Sequence, residues 1–206
     1  MIRRHFAWAA PQEWGNETMI AFLKPAAMAR VNGPMIETKR LILRTWREAD
    51  IAPNTAMLSD PETARYITSD RKPVTSALNG WRNAAIMMGH WALHGYGMFV
   101  VEEKSSGKYV GRVGPWYPPT WPGFEVGWGI AKEFRGKGYA TEATCASIDW
   151  VFENLAVDRI VHTIKPDNTA SQSVARRLGA TIEGQAEVFG EISDLWVTTR
   201  ERWRRA

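Results

Sequence analysis

Apolar positions recur along the chain in two rhythms, and the order in which they alternate predicts the architecture. Residues 40–46, Arg40-Leu41-Ile42-Leu43-Arg44-Thr45-Trp46, form a short apolar run flanked by charge, the pattern of a first strand. Residues 48–58 predict a short helix. Ser59-Asp60-Pro61-Glu62 then reads as a cap and a restart, with proline at the first helical position. Leu78, Trp81, Ala85, Met88 and Ala92 fall at spacings of three and four, predicting an amphipathic helix with that stripe on the core. Segments 98–103 and 109–114, joined through Ser105-Ser106-Gly107, predict a hairpin, and 124–130 predicts a further strand. Residues 139–155 carry Ala140, Ala143, Ser147, Val151 and Leu155 on one helical face. A strand over 159–165, a helix over 169–178 ending at Gly179 and a last strand over 194–200 follow. The order predicts an α/β (α+β) fold, a mixed sheet with helices packed on it.

Composition narrows this picture. With 206 residues, 45% of them apolar and 23% charged, the chain has the make-up of a globular fold of one domain plus decoration, not of a disordered one. Residues 1–34 keep no period and contain Pro11, Pro25, Pro34, Gly15 and Gly33, so they read as an extension, ordered only if Trp8 or Trp14 docks on the body. Met19, Met28 and Met35 are alternative starts, and the domain proper spans 35–206. The net charge of +4 belongs to the ends. Residues 1–34 carry four basic against two acidic groups and residues 200–206 four arginines against Glu201, leaving the body slightly acidic. A nucleic-acid binder concentrates basic charge on its folded body, so no nucleic-acid partner is expected. The single Cys145 forms no internal disulfide and no zinc cluster. Residues 83–101 lack formal charge, but they hold His90, His94, Gly89, Gly95 and Gly97 and read as a helix followed by a strand. No membrane span or export signal is read, and a cytoplasmic location is expected.

The sharpest local feature is Arg135-Gly136-Lys137-Gly138-Tyr139-Ala140, between a strand and a long helix. Two glycines allow a tight turn and close backbone approach, and the helix start presents unsatisfied N–H groups and its positive dipole end. Such a turn suits a pyrophosphate, with Arg135 and Lys137 adding charge; the plain alternative is an ordinary loop into a helix. The Walker pattern fails, because Ala131 stands where its first glycine is required and Gly138 follows Lys137. The dinucleotide pattern fails as well, because Thr141 replaces its third glycine.

Glu125-Val126-Gly127-Trp128-Gly129-Ile130, followed by residues 135–143, resembles the GNAT superfamily of N-acetyltransferases. The opening Glu37-Thr38-Lys39-Arg40-Leu41-Ile42-Leu43-Arg44, with Pro166-Asp167-Asn168-Thr169-Ala170-Ser171 and Leu178-Gly179-Ala180, is similar to its ribosomal-protein N-terminal acetyltransferase (RimJ/RimL-type) branch. The likeness runs over about residues 36–200. It implies a mostly antiparallel sheet of about seven strands, split between the fourth and fifth, with acetyl-CoA as cosubstrate in the split and no metal. It further implies that the backbone of Trp128, Gly129 and Ile130 pairs with the pantetheine arm. Residues Arg135, Gly136, Lys137, Gly138, Tyr139, Ala140 and Thr141 would wrap the pyrophosphate, and Asn168 would touch the pantetheine or thiol region.

Acetyl transfer needs a deprotonated amine, a held carbonyl and a proton for the departing thiolate. Glu125, at the head of the strand lining the cleft, is the candidate base, directly or through water; the alternative is a solvated strand-end carboxylate. His162 on the neighbouring strand is the rival, and a lone strand histidine is more often structural. Many superfamily members place a tyrosine seven residues after the asparagine, where this chain has Ala175. The ribosomal-type branch often has serine at the position of Ser171, which would serve the sulfur or, alternatively, the helix N-terminus. His90 and His94 have a metal-ligand spacing but no third ligand, and Cys145 reads as a small core residue. The aromatic, proline-rich loop 116–122 is either a wall of the acceptor pocket or packing on the sheet, while Trp81, Trp91, Trp128 and Trp150 read as core. Trp196 and Trp203 are candidates for a dimer edge in a chain that is a monomer or homodimer. The reading is an acetyl-CoA-dependent N-acetyltransferase acting on a protein N-terminus or small amine. The alternative, prompted by Ala175, is an acyl-CoA-binding regulatory domain without chemistry.

Overall fold

The computed structural model describes residues 33–203. The extension expected over residues 1–34, with the docking of Trp8 or Trp14, therefore lies outside the described residues but for Gly33 and Pro34. The chain runs β1 (Ile36–Glu37), β2 (Leu41–Arg44), α1 (Ile51–Ser59), α2 (Pro61–Ile67), α3 (Ala77–His94), β3 (Phe99–Glu103), β4 (Tyr109–Trp116), β5 (Glu125–Ile130), α4 (Tyr139–Asn154), β6 (Arg159–Ile164), α5 (Thr169–Arg177), β7 (Thr181–Val188), β8 (Glu191–Thr199) and α6 (Arg200–Trp203). The strands form one eight-stranded sheet in the order β1-β2-β3-β4-β5-β6-β8-β7. Every neighbouring pair is antiparallel except β5 and β6.

The restart read at Asp60-Pro61 is present: the Asp60 carboxylate accepts from Thr63 N–H at 3.1 Å, with proline in the first turn of α2. The helix expected around Leu78–Ala92 exists as α3, but its phase differs. Gly80, Ala84, Met87, His90 and Trp91 are its buried residues, whereas Leu78, Trp81 and Met88 are exposed. Gly80 sets this phase, since a Cβ there would lie 2.0 Å from Thr55 Oγ1 on α1, so this bare position is the one that lets the two helices close. β1 and β7 are strands the pattern did not predict. They lie at the two edges of the sheet, and most of β7 is exposed.

Alternation along β4 and β5 assigns the two sheet faces. Val113 and Val126 lie beneath α4, in cores that include Val110, Ile148 and Val151. Arg112, Trp116, Glu125, Gly127 and Gly129 share the opposite face, beneath α1–α3. Trp196 is only 4% exposed, in a core with Ile164, Ala175 and Ala180, which removes it from any dimer edge. The Trp203 indole donates to Asp149 at 2.6 Å and packs against the core that contains Val151 and Phe152. Among the described residues no helix is long and apolar enough to cross a membrane.

Candidate active site

The sheet opens at its one parallel junction. β5 and β6 share a single registered pair, Glu125 with Val161, and beyond it the strands diverge. Each strand is thereby left with polar backbone groups that a continuous ladder would satisfy. Two side chains answer for them at the apex. His162 Nδ1 donates to the Val126 carbonyl at 2.7 Å, while its Nε2 meets the Thr198 hydroxyl at 3.1 Å. Across the gap, the Glu125 carboxylate accepts from Thr163 N–H at 3.1 Å and from the Thr163 hydroxyl at 2.9 Å. The Trp121 indole N–H donates to the other Glu125 oxygen.

These environments fix the protonation of the two candidate bases. Glu125 is 8% exposed, so it is not a solvated strand end. Burial pushes its carboxyl up to about 7 against the opposing effect of its hydrogen bonds. His162 is buried with both ring nitrogens engaged, and burial holds it down at about 4. It is therefore a neutral structural imidazole at neutral pH. The carboxylate is the group poised to change its proton there.

A cleft of about 1170 Å³ runs from this apex to the start of α4. Its floor is β5, where Gly127 and Gly129 present no side chains. One wall is the α3 face bearing Asn79, Asn83 and Met87. The other carries Thr163, Asn168 and Ser171, with Val188 and Phe189 from the β7–β8 hairpin. Trp116 and Trp121 line it too, and Trp121 meets Phe189 edge-on at 5.4 Å, so the proline-rich loop is a wall of the cleft. Ion pairs link α2 and the segment after it to the β6–β8 side of the cleft: Arg65 with Asp167, and Arg71 with Glu191, which Lys165 also pairs.

At the far end, Gly136 and Gly138 adopt φ of +75° and +80°, a region costly for any residue with a Cβ. Gly138 caps α4 without a side chain, leaving the N–H groups of its first turn free of a side-chain cap. The loop is braced from outside: Arg40 donates to the Lys137 carbonyl at 2.8 Å and pairs with Glu142 at 2.6 Å. The charge expected from Arg135 is directed elsewhere. Its guanidinium pairs with Asp60 at 2.9 Å and Glu62 at 2.7 Å and donates to the Ile130 carbonyl at 3.2 Å. Arg135 therefore straps the loop to α2. Lys137 Nζ lies 4.9 Å from the centre of the Phe134 ring and makes no ion pair among the described residues.

The other sequence candidates divide between scaffold and cleft. Asn168 caps α5, its Oδ1 accepting from Ser171 N–H at 3.0 Å. The Ser171 hydroxyl makes no hydrogen bond among the described residues, and Ser171 lines the cleft. Cys145 is half-buried, with its thiol pushed up by burial. His90 and His94 pack with Tyr96, His90 also against Trp116, and no group of three metal-ligating side chains occurs among the described residues. Sequence reasoning missed Thr163 and Arg112, both lining this cleft, and included Trp121 only as part of the loop 116–122, without its link to Glu125. Only Arg112, a cation inside an apolar strand, left a trace in the pattern.

Comparison with known proteins agrees with this arrangement. The sequence profile of the acetyltransferase (GNAT) domain matches residues 40–181. The chain belongs to the GNAT acetyltransferase family. Among relatives, YkkB of Bacillus subtilis is 29% identical over 147 residues, covering 69% of this chain and 82% of that protein. The N-acetyltransferase p20 of Bacillus licheniformis is likewise 29% identical over 149 residues, covering 71% and 82%. An acetyltransferase structure from Agrobacterium tumefaciens superposes with a TM-score of 0.71 at 26% identity, covering 81% of this chain and 95% of the other. RimJ of Mycobacterium smegmatis, in complex with a CoA disulfide, shares the GNAT fold at a TM-score of 0.65 and 24% identity, covering 83% and 88%. In this GNAT acetyltransferase, the split expected between a fourth and fifth strand is that between β5 and β6, displaced by one because β1 precedes the strand read as first.

Proposed function

We propose that the protein transfers an acetyl group from acetyl-CoA to a primary amine by direct attack on the thioester, with Glu125 as base. One observation carries the reading: a buried carboxylate poised near neutrality shares a single cleft with an uncapped helix start behind two left-handed glycines. The helix start supplies free N–H donors and a favourable dipole for the CoA pyrophosphate. Along Trp128 to Ile130, β5 is paired with β4 but not with β6, and its β6-facing edge offers backbone groups to the pantetheine arm. The amine, held beside Glu125, gives up a proton to the carboxylate directly or through one water as its nitrogen bonds to the acetyl carbon. Collapse of the tetrahedral intermediate breaks the carbon–sulfur bond, and the proton taken up by Glu125 passes through water to the leaving thiolate, beside the Ser171 hydroxyl, which returns Glu125 to its carboxylate form. Ala175 is fully buried, so the tyrosine-type acid of other members has no counterpart there. The acceptor is a protein N-terminus or a small amine.

Acetylation of an amine panel by the wild type, Glu125→Gln and Ser171→Ala tests the assignment. Glu125→Gln should lower kcat by about 10²- to 10⁴-fold while acetyl-CoA still binds. Ser171→Ala should cost about tenfold or less, as expected for one hydrogen bond to the sulfur region. Turnover undiminished in both variants sinks both roles.

A further inference from the structure

Among the described residues two arginines are buried, and they are satisfied in opposite ways. Arg44 on β2 is 8% exposed and fully paired: it binds Asp50 through two hydrogen bonds of 2.8 Å and Glu102 through one of 2.9 Å. Arg112 on β4 is 5% exposed and makes no ion pair among the described residues. Its single hydrogen bond runs from Nη1 to the Asn83 carboxamide oxygen at 2.8 Å. That oxygen also accepts from Asn54 at 3.1 Å, and Asn54 in turn accepts from the Tyr109 hydroxyl at 3.1 Å, so the chain behind Arg112 is neutral throughout. A guanidinium taken out of water without a countercharge is unfavourable, and folded proteins pair such a group or bring an anion to it. Burial accordingly lowers the affinity of Arg112 for its proton.

The remaining face of Arg112 borders the cleft, on the same sheet face as Glu125 and in register with Gly129. Glu125 is in register with Trp116, four residues away, or about 13 Å of strand at the backbone. No carboxylate stands on the α3 wall beside Arg112, and Arg82 on that wall has only Asn79 as a hydrogen-bond partner, at 3.3 Å. The cleft therefore holds a proton acceptor at one point and an uncompensated buried cation at another.

We propose that Arg112 is an anion-recognition residue of the acceptor site, binding a carboxylate carried by the same molecule whose amine is acetylated at Glu125. The inference rests on the acetyltransferase reading above and narrows its substrate class. The strand spacing favours a carboxylate several bonds from the amine. Two sources share that chemistry, an acidic side chain close behind a peptide N-terminus and the free acid of a small ω-amino carboxylate. Arg82 attracts the anion at the mouth, and Arg112 receives it.

The test compares matched acceptors that differ only in charge. One pair is a peptide amide with aspartate or asparagine at its third position; the other is an ω-amino acid and its carboxamide. In the wild type, the acid of at least one pair should exceed its neutral partner in kcat/KM by about tenfold or more, mainly through KM, as for a charge-assisted hydrogen bond. Which pair responds identifies the source. In Arg112→Met the acid should fall to the level of its partner, and Arg112→Lys should recover part of the preference. Calorimetric binding of the same pairs to the CoA-saturated protein gives a readout independent of turnover. An acid preference there that Arg112→Met abolishes upholds the anion site even if no amine is acetylated, in which case the amine-transfer reading fails and the anion site stands. Equal behaviour of acid and neutral partner in the wild type overturns the proposal. So does a loss confined to acetyl-CoA affinity in Arg112→Met, which would assign the cation to the cosubstrate.

Discussion

Thr163 donates to Glu125 twice across the strand split, from its backbone N–H at 3.1 Å and from its hydroxyl at 2.9 Å. The pairing does two things at once. It satisfies a strand N–H that the divergence of β5 and β6 leaves without a ladder partner, and it holds the carboxylate at the head of the cleft. It also stabilises the ionised form, working against the burial that raises Glu125 to about 7.

Thr163→Val keeps the shape and the backbone donor while removing the hydroxyl. The carboxyl should then rise by about one further unit, the equivalent of one hydrogen bond to a charged group. The acidic limb of the kcat–pH profile should move up accordingly, with the alkaline plateau little changed. A profile that keeps its limb in place would remove Glu125 as the group that limb reports.

Arg135 lies at the glycine-turn end of the cleft, where acetyl-CoA is proposed to bind. The family signature places this residue at the pyrophosphate, yet its guanidinium is held by Asp60 and Glu62 of α2. If strapping is its role, Asp60→Asn should weaken acetyl-CoA binding in the same direction as Arg135→Ala, by about three- to tenfold, because asparagine keeps the α2 cap but loses the charge. Direct phosphate contact predicts a loss in Arg135→Ala alone. Titration of both variants with acetyl-CoA separates the two.

Part of this candidate site is legible in the sequence, for identifiable reasons. Gly136, Gly138 and the helix after them leave their mark in sequence because local backbone geometry demands it, and Asp60-Pro61 marks a helix start in the same way. What stayed hidden depends on contacts between distant segments. The buried face of α3 was misread because Leu78, Trp81 and Met88 form as good a stripe as Ala84, Met87 and Trp91, and only the close approach of Gly80 to Thr55 decides between them. β7 is an exposed edge strand whose Thr181, Glu183, Gln185 and Glu187 carry little apolar signal. Thr163 and Trp121 acquire meaning only once β6 and the proline-rich loop meet at Glu125.

Gly138→Ala isolates the backbone contribution of the loop. A Cβ there would come no closer than 3.5 Å to Arg40, so space is available and the penalty comes from φ at +80°. An ordinary residue in that region costs about 1–2 kcal/mol. Denaturant unfolding should show a loss of that size, and acetyl-CoA affinity should fall with it if the loop relaxes. An unchanged midpoint would mean that the turn tolerates another geometry.

The two apex residues also impose opposite pH dependences on stability. His162 titrates at about 4 when folded against 6.5 for a free histidine. Its contribution is therefore complete above about 6.5 and is lost as pH falls through 4, to the extent of about 3 kcal/mol. Glu125, raised from 4.5 to about 7, runs the other way. It favours the fold below 4.5, where both states are protonated, and that advantage disappears as pH rises through 7. His162→Gln replaces the titrating ring with an amide able to donate to Val126 and accept from Thr198. The stability gap between wild type and His162→Gln, measured by denaturant unfolding, should stay level from pH 8 to about 6.5 and shrink from there towards pH 4.5. For Glu125→Gln, the variant should gain on the wild type as pH rises from 5 to 8. A His162→Gln gap independent of pH would mean that this imidazole titrates in the fold as it does in the unfolded chain, and a gap that widens as pH falls would mean that it is charged there; either outcome would overturn the neutral hydrogen-bond arrangement at the apex.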